Sequence, residues 1–383
     1  MAGHRRGGAL ARSAYVFAVL LVLVAVAAGL AGYGAGRASR VTVTSTVTSY
    51  GTLTVTSTAT AYSTVYSTAT YTATRYVTVT ATVTVTAAPP ATATITLSPS
   101  RSEDFELVGN LTFNAPTYNA SSATPGFSVI ASPFLWNLLY AQGSANLTVR
   151  SGVVYVAINF TSFRKVNPSI GVDGYPTLMY GAEWWWPFYG ASGMSRPLVL
   201  PAPLSSLPEF NSTLGFSVYR EAGVVDDFSY DIWLGYVNGT GAWTANSTQV
   251  VFPDIEVMVW LYHEATVAGN PYFVPEGQVE VPVVVNGTPV EEAFYVYVLP
   301  HTGSATGWIG VYYLSATNLT GDVTVPLSQL IEEAPLYAKR VFGWLDTGDY
   351  YLDAIQVGME FNDVGGRVEA GYTLWNWTLE VRG

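Results

Sequence analysis

Residues 254–261, DIEVMVWL, read as a β-strand with one side chain out of keeping. Side chains alternate across a strand with period two. Ile255, Val257, Val259 and Leu261 therefore share one wholly aliphatic face, while Asp254, Glu256, Met258 and Trp260 share the other. The aliphatic face suits the space between two packed sheets. A carboxylate among the remaining neighbours is destabilising unless it is paired, neutral or solvated in a groove. Glu256 is thus expected to face a groove, beside a Met and a Trp.

Two other stretches share this design. In FSYDIWLGY (228–236), Tyr230, Ile232, Leu234 and Tyr236 form one face, and Ser229, Asp231, Trp233 and Gly235 the other. In AIQVGMEF (354–361), Ile355, Val357, Met359 and Phe361 lie opposite Gln356, Gly358 and Glu360. Gly358 beside Glu360 leaves room for a bulky group to approach. A groove lined by aromatic rings and opposed carboxyls suits glycoside hydrolysis: sugar faces stack on indole and phenol rings, one carboxylate attacks, and one carboxylic acid protonates the leaving oxygen. For any single acid, simple solvation on an exposed sheet face is the ordinary reading. Three such strands make the catalytic reading an even match for it.

From residue 102 onward, short alternating runs are punctuated by Gly, Pro and Asn, as in NLTVRSGVVYVAINF and VEVPVVVNGTPV. This spacing predicts an all-β sandwich of many antiparallel strands. One helix is expected over 326–343, where Leu327, Leu330, Ile331 and Leu336 recur near helical spacing. Ten Asn-x-Ser/Thr sequons, at Asn110, Asn119, Asn146, Asn159, Asn211, Asn238, Asn246, Asn286, Asn318 and Asn376, are candidate glycosylation sites. Each also has a plainer reading as a turn Asn beside a strand Thr.

Composition bounds the function. With no cysteine among 383 residues, disulfides and thiolate metal sites are excluded. All 27 acids lie after residue 102, against nine basic residues there, a net charge of -18. Such a body repels nucleic acid, which is excluded as a partner. His4, His263 and His301 offer no metal-ligand cluster, and His263-Glu264 reads as a surface turn.

The N-terminal part reads as a targeting device. Arg5, Arg6 and Arg12 precede an uncharged stretch, so 1–36 is expected to be a signal peptide or an N-terminal membrane anchor, retention being favoured. Residues 37–101 are rich in Thr and Ser and are read as a glycosylated stalk, the alternative being a strand-forming segment. Residues 102–383 are the globular domain, placed outside the cell, secreted or tethered to the outer face of the membrane.

These residues also resemble a known family. DIEVMVWL is similar to the nucleophile strand of glycoside hydrolase family 12, whose pattern is Glu-x-Met-x-Trp-Leu. SYDIWL resembles the strand whose Asp supports the nucleophile, and YYLDAIQVGMEF the Gly-x-Glu strand of the acid/base. GYPTLMYG (174–181) and FLWN (134–137) resemble two further segments, and the five occur in family order. The resemblance implies a β-jelly-roll of two antiparallel sheets and a retaining endo-β-1,4-glucanase acting on cellulose or related β-glucans. It implies Glu256 as nucleophile, Glu360 as acid/base, and Asp231 as the hydrogen-bonded partner of Glu256. Trp136 would be a stacking platform, with Met258, Trp260, Tyr180 and Trp184 lining the cleft. Phe134 and Met359 depart from the family pattern, which leaves the exact substrate open. EWWWPF (183–188) suggests a cleft rim, with at least one of its three Trp in the core. A separation of about 5 to 5.5 Å between the carboxyls and an acidic optimum are expected. No cofactor or metal is required, and the catalytic domain is expected to be monomeric. The rival readings are a non-catalytic carbohydrate-binding or structural surface protein, and the same chemistry on xyloglucan.

Overall fold

The computed structural model describes residues 52–65, 73–86, 92–97, 105–109, 118–121, 128–185, 188, 190–194, 196–236, 250–300 and 307–382. The expected anchor over 1–36, Trp186, His4, His301 and the sequons at Asn110, Asn238 and Asn246 lie outside the described residues. Among the described residues no helix is long and apolar enough to cross a membrane.

The chain divides into two units, 1–90 and 91–383. In the first, β1 (Thr52–Val65) and β2 (Ala73–Thr86) pair antiparallel along their whole length. The sequence reading favoured a stalk here. Alternating Thr and Val fit such a pleated ladder.

The second unit begins with β3 (Thr92–Thr96), β4 (Phe105–Gly109), β5 (Tyr118–Ser121), β6 (Ser128–Ser132), β7 (Leu138–Arg150), β8 (Val153–Lys165) and β9 (Thr177–Glu183). Next come the short β10 (Gly190–Ala191) and β11 (Ala202–Pro203), then β12 (Phe210–Ala222), β13 (Val224–Tyr236), β14 (Ile255–His263), β15 (Val274–Val285) and β16 (Thr288–Pro300). After β17 (Ile309–Ser315) and β18 (Gly321–Val325), the helix α1 (Leu327–Phe342) precedes β19 (Tyr350–Asn362) and β20 (Arg367–Arg382). β3 pairs with β20 and buries Ile95, so this part of the expected stalk belongs to the sandwich.

The inner sheet runs β5-β6-β9-β19-β13-β14-β17-β16-β15. The outer sheet runs β18-β12-β20-β8-β7-β4. Hairpins are closed where the sequence offers left-handed residues: Ser151-Gly152 (φ 52 and 79) between β7 and β8, and Asn286-Gly287 (φ 51 and 79) between β15 and β16. One pair departs from the antiparallel expectation. β14 and β17 are parallel, from Ile255 opposite Ile309 to Trp260 opposite Leu314. The chain leaves β14, passes two strand positions outward and returns inward through β15, β16 and β17.

The core fills the space between the sheets. It holds the aliphatic face read from DIEVMVWL, Ile255, Val257, Val259 and Leu261, with Phe216 stacked on Phe228 at 4.1 Å. Aromatic burial of this kind supplies the largest share of core energy per residue. The helix lies within the expected span and buries Leu327, Leu330, Ile331, Ala334 and Ala338. Leu336, expected on that stripe, is exposed. On β7, β8, β12 and β20 the sequons Asn146, Asn159, Asn211 and Asn376 alternate with core residues and so project from the outer sheet.

Candidate active site

Five neighbouring strands, β9, β19, β13, β14 and β17, present their non-core faces to one hollow. The DIEVMVWL, SYDIWL and GMEF strands lie side by side, with Trp233 opposite Glu256, Asp231 between Met258 and Gln356, and Asp227 opposite Glu360. Glu256 and Glu360 pair with residues well apart along β13. Register shifts at Phe228/Ser229 and Val225/Asp227 mark bends where the ladder is interrupted. The charge of Glu256 nonetheless adds to the upward shift of Glu360.

The ends of these strands are pinned. Asp254 accepts from Tyr236 N at 2.9 Å and Val251 N at 3.0 Å, fixing the entry to β14. At the other end, Lys165 Nζ binds Asp173 Oδ1 at 2.9 Å, Asp363 Oδ1 at 3.2 Å and Asn362 Oδ1 at 3.2 Å, and donates to Gly171 O. This clasp lies just beyond Glu360. Gly358 admits the Tyr175 ring, since a Cβ there would lie 2.9 Å from Tyr175 Cζ, and Tyr175 Oη donates to Ser229 O at 3.1 Å. The bulky group that Gly358 accommodates is therefore a side chain of this protein.

Glu256 is half-buried. Its Oε2 accepts from Trp308 Nε1 at 2.9 Å and Tyr312 Oη at 2.8 Å. Burial raises its pKa, and these two donors pull it back down. Glu360, also half-buried, is pushed well above the usual range. Burial acts first, followed by the charges of Asp227 and Asp226, the hydrogen bond to Asp227, and Glu256 itself. Asp231 is 6 % exposed and also raised well above its usual value, by burial and then by Glu256, Glu183 and Asp227; the Trp233 indole beside it acts in the opposite sense. Glu256 thus bears on Asp231 through charge, whereas the hydrogen bonds given to Glu256 come from Trp308 and Tyr312. On the β9 side, Gln356 donates to Glu183 at 2.6 Å, and burial lifts Glu183 to about 8.

The expected binding residues separate into groups. Tyr180 is a correction: it is fully buried in the inter-sheet core and donates to Leu198 O at 2.6 Å. The alternation of β9 turns Tyr180 into the inter-sheet core and Met179 to the other face, where it packs against Ile130, Phe188 and Ala354. Met258 and Trp260 do share Glu256's face, but they are 3 % and 4 % exposed, packed with Val267, Tyr312 and Leu314 beneath Ala265 and Phe273. They form a covered floor in place of an open lining. Trp184 is half-buried just past β9. Trp136 is half-buried in the turn before β7. That turn is tied to the Asp173–Tyr175 segment by Asn137 N to Asp173 O and Tyr175 N to Phe134 O, and no contact described joins Trp136 to the carboxyls. His263 is another correction. It ends β14, opposite Asp227, with its two ring nitrogens 2.8 and 2.9 Å from Ala265 O and Ser315 O.

Three residues escaped the sequence reading: Trp308, Tyr312 and Asp227. Trp308 arrives just before β17 and Tyr312 on it, and no local signal joins that strand to β14. Trp185 continues an edge-to-face series through Trp233 to Trp308, with centroids 5.4 and 5.6 Å apart. Asp227 carried a signal, since it shares the phase of Ser229, Asp231 and Trp233. Among the described residues no group of His, Asp and Glu is arranged to hold a metal ion.

No family model matches the sequence, and no curated protein is similar to it. The fold is similar to that of a family 12 xyloglucanase from Bacillus licheniformis in complex with ligand, with a TM-score of 0.51, 18% identity, and 73% of this chain and 100% of that chain covered. The native form of the same xyloglucanase aligns with a TM-score of 0.49 at 18% identity over 70% of this chain and 100% of that one. Endoglucanase Cel12A from Rhodothermus marinus gives 0.43 at 18% identity over 71% and 99%. The second unit thus has the fold of glycoside hydrolase family 12.

Proposed function

We propose, on the premise of that fold, that the second unit is a retaining endo-glycoside hydrolase cutting β-1,4-glucosidic bonds in cellulose or related β-glucans. The observation that carries this reading is the opposite setting of two carboxyls on one hollow. Glu256 is held by two donors that favour the anion, whereas Glu360 faces acids that favour the protonated form. A double displacement needs that division of states. Glu256 attacks the anomeric carbon as Glu360 gives its proton to the leaving oxygen; water then releases the sugar and returns a proton to Glu360. Asp231 adds a third carboxyl beside Glu256, held toward its neutral form by burial and by the charge of Glu256. We assign Trp136 and Trp184 to the rim and Met258 and Trp260 to the floor. A binding-only module has no need of such a divided pair.

A second reading keeps the chemistry and changes the substrate to xyloglucan. It is supported by the fold likeness at a TM-score of 0.51 to a protein described as a xyloglucanase. We place the catalytic unit outside the cell as a monomer, with 1–36 as leader or anchor, the part of 37–101 that precedes β3 as a stalk region and surface sequons as glycan sites. The full-length chain, Glu256→Ala and Glu360→Ala are to be incubated with carboxymethylcellulose, barley β-glucan and xyloglucan across pH 3 to 8, and new reducing ends counted. Cleavage by the wild type that is lost in both folded variants supports the hydrolase. Preference among the three polymers decides the substrate. Binding without cleavage by the wild type overturns the enzyme reading.

A further inference from the structure

Asp227 is fully buried and stands directly opposite Glu360 in the β13–β19 register, and the side chains that act on its carboxylate by hydrogen bonding are the Ser229 hydroxyl and Glu360. Two carboxyl groups facing one another are acceptors only until one carries a proton, which then bridges them. The groups facing this pair come from every neighbouring element. β13 supplies Asp226, Ser229 and Asp231; β14 supplies Glu256 and His263; β17 supplies Tyr312. Tyr175 and Asp173 come from the segment before β9, and Lys165 from β8. Lys165, the cation among them, is already bound to Asp173 and Asp363.

We propose that Asp227 is a positioning residue for Glu360: its buried carboxylate accepts the hydrogen bond that Glu360 donates, holding that side chain in its acid form between turnovers. This inference rests on the hydrolase reading and adds to it how the acid is kept charged with a proton. When Glu360 gives its proton to the leaving oxygen, two carboxylates are left face to face. Their repulsion favours recapture of a proton from the incoming water, as the water oxygen bonds the anomeric carbon and the bond to Glu256 breaks. Burial raises Asp227 while the hydrogen bonds of Ser229 and then Glu360 lower it; burial prevails, to about 8, so the pair retains a proton at neutral pH.

The test compares the full-length wild type with Asp227→Asn by the pH dependence of kcat/KM on barley β-glucan. Carboxyl titration by NMR of protein labelled at Glu carboxyl carbons, with Glu360→Gln to assign the signal, provides a second readout. Removing the neighbouring charge makes Glu360 release its proton earlier. The basic limb of the profile is therefore expected to fall by roughly one to three pH units, while activity on the acidic side stays within about tenfold. A basic limb that stays in place while the rate drops equally at every pH overturns the proposal, because that is the signature of a merely structural role. If the wild type cleaves no glucan, the hydrolase reading fails separately, and the NMR titration of Glu360 still decides whether Asp227 holds its proton. If Asp227→Asn does not fold, the wild type alone suffices: a Glu360 signal titrating in the ordinary Glu range overturns the proposal.

Discussion

Glu256 and Glu360 are the same residue at similar depth in one hollow, yet their two sides of the sheet treat them differently. On the β14–β17 side, Trp308 and Tyr312 turn N–H and O–H toward Glu256. On the β13–β19 side, the charges that act most strongly on Glu360 are those of Asp227 and Asp226. Burial raises both, so burial alone does not distinguish them. Their neighbours do, and those neighbours come from different strands. An acid and a base are thus made from one residue type by the identity of the adjacent strand.

The comparison is broken most severely by removing either carboxyl. Glu256→Gln is expected to lower kcat by roughly 10⁴-fold or more, and Glu360→Gln by about 10²- to 10⁴-fold, both read by reducing-end release. Next comes the donor side. Tyr312→Phe with Trp308→Phe removes two bonds to the charged form of Glu256, each worth about 1.5 to 3 kcal/mol. The pKa of Glu256 then rises, and the acidic limb of the pH–rate profile should move to higher pH. An unmoved acidic limb would mean that these donors do not set the base.

The acid side makes a prediction about stability. Burial raises Glu183 to about 8, Asp226 to about 7 and Asp173 to about 6, the last opposed by Lys165. A raised folded value means that the native state holds protons the unfolded chain has released. Stability is therefore greatest below about pH 4 and falls as pH rises toward 6 to 8, by about 1.4 kcal/mol per pH unit for each such group. Thermal melts from pH 4 to 8 should show Tm declining, and Glu183→Gln should flatten the decline. The smallest effect sharpens the boundary between hollow and core. Tyr180→Phe should cost about 1 kcal/mol through the lost bond to Leu198 O, with KM unchanged; a raised KM would return Tyr180 to the cleft.

Much of this was legible because period two carries both fold and site. The alternation of DIEVMVWL placed Glu256 off the core, and the same phase gave Asp231 and Glu360. That phase also contained Asp227, whose significance lies in its register with Glu360, a matter of pairing across strands. Tyr180 was misplaced for a related reason: likeness to a segment identifies a strand, but its phase decides the face. The cover over Met258 and Trp260 comes from a loop with no periodic signal. Trp308 and Tyr312 required knowledge of which strand would lie beside β14, and a stretch of sequence does not state its partner.

The parallel pairing of β14 with β17 has a kinetic consequence. A hairpin joins neighbours in sequence at little loop-closure cost, whereas β14 meets a strand that begins 46 residues after its own last residue. Non-local contacts of this kind are costly to close early in folding. The β15–β16 hairpin and its pairing with β17 can form by local steps, and the assembled meander can then dock on β14. On that order Glu256 acquires both of its donors in a single late event, so a chain halted before docking would have most of its strands and no working carboxylate.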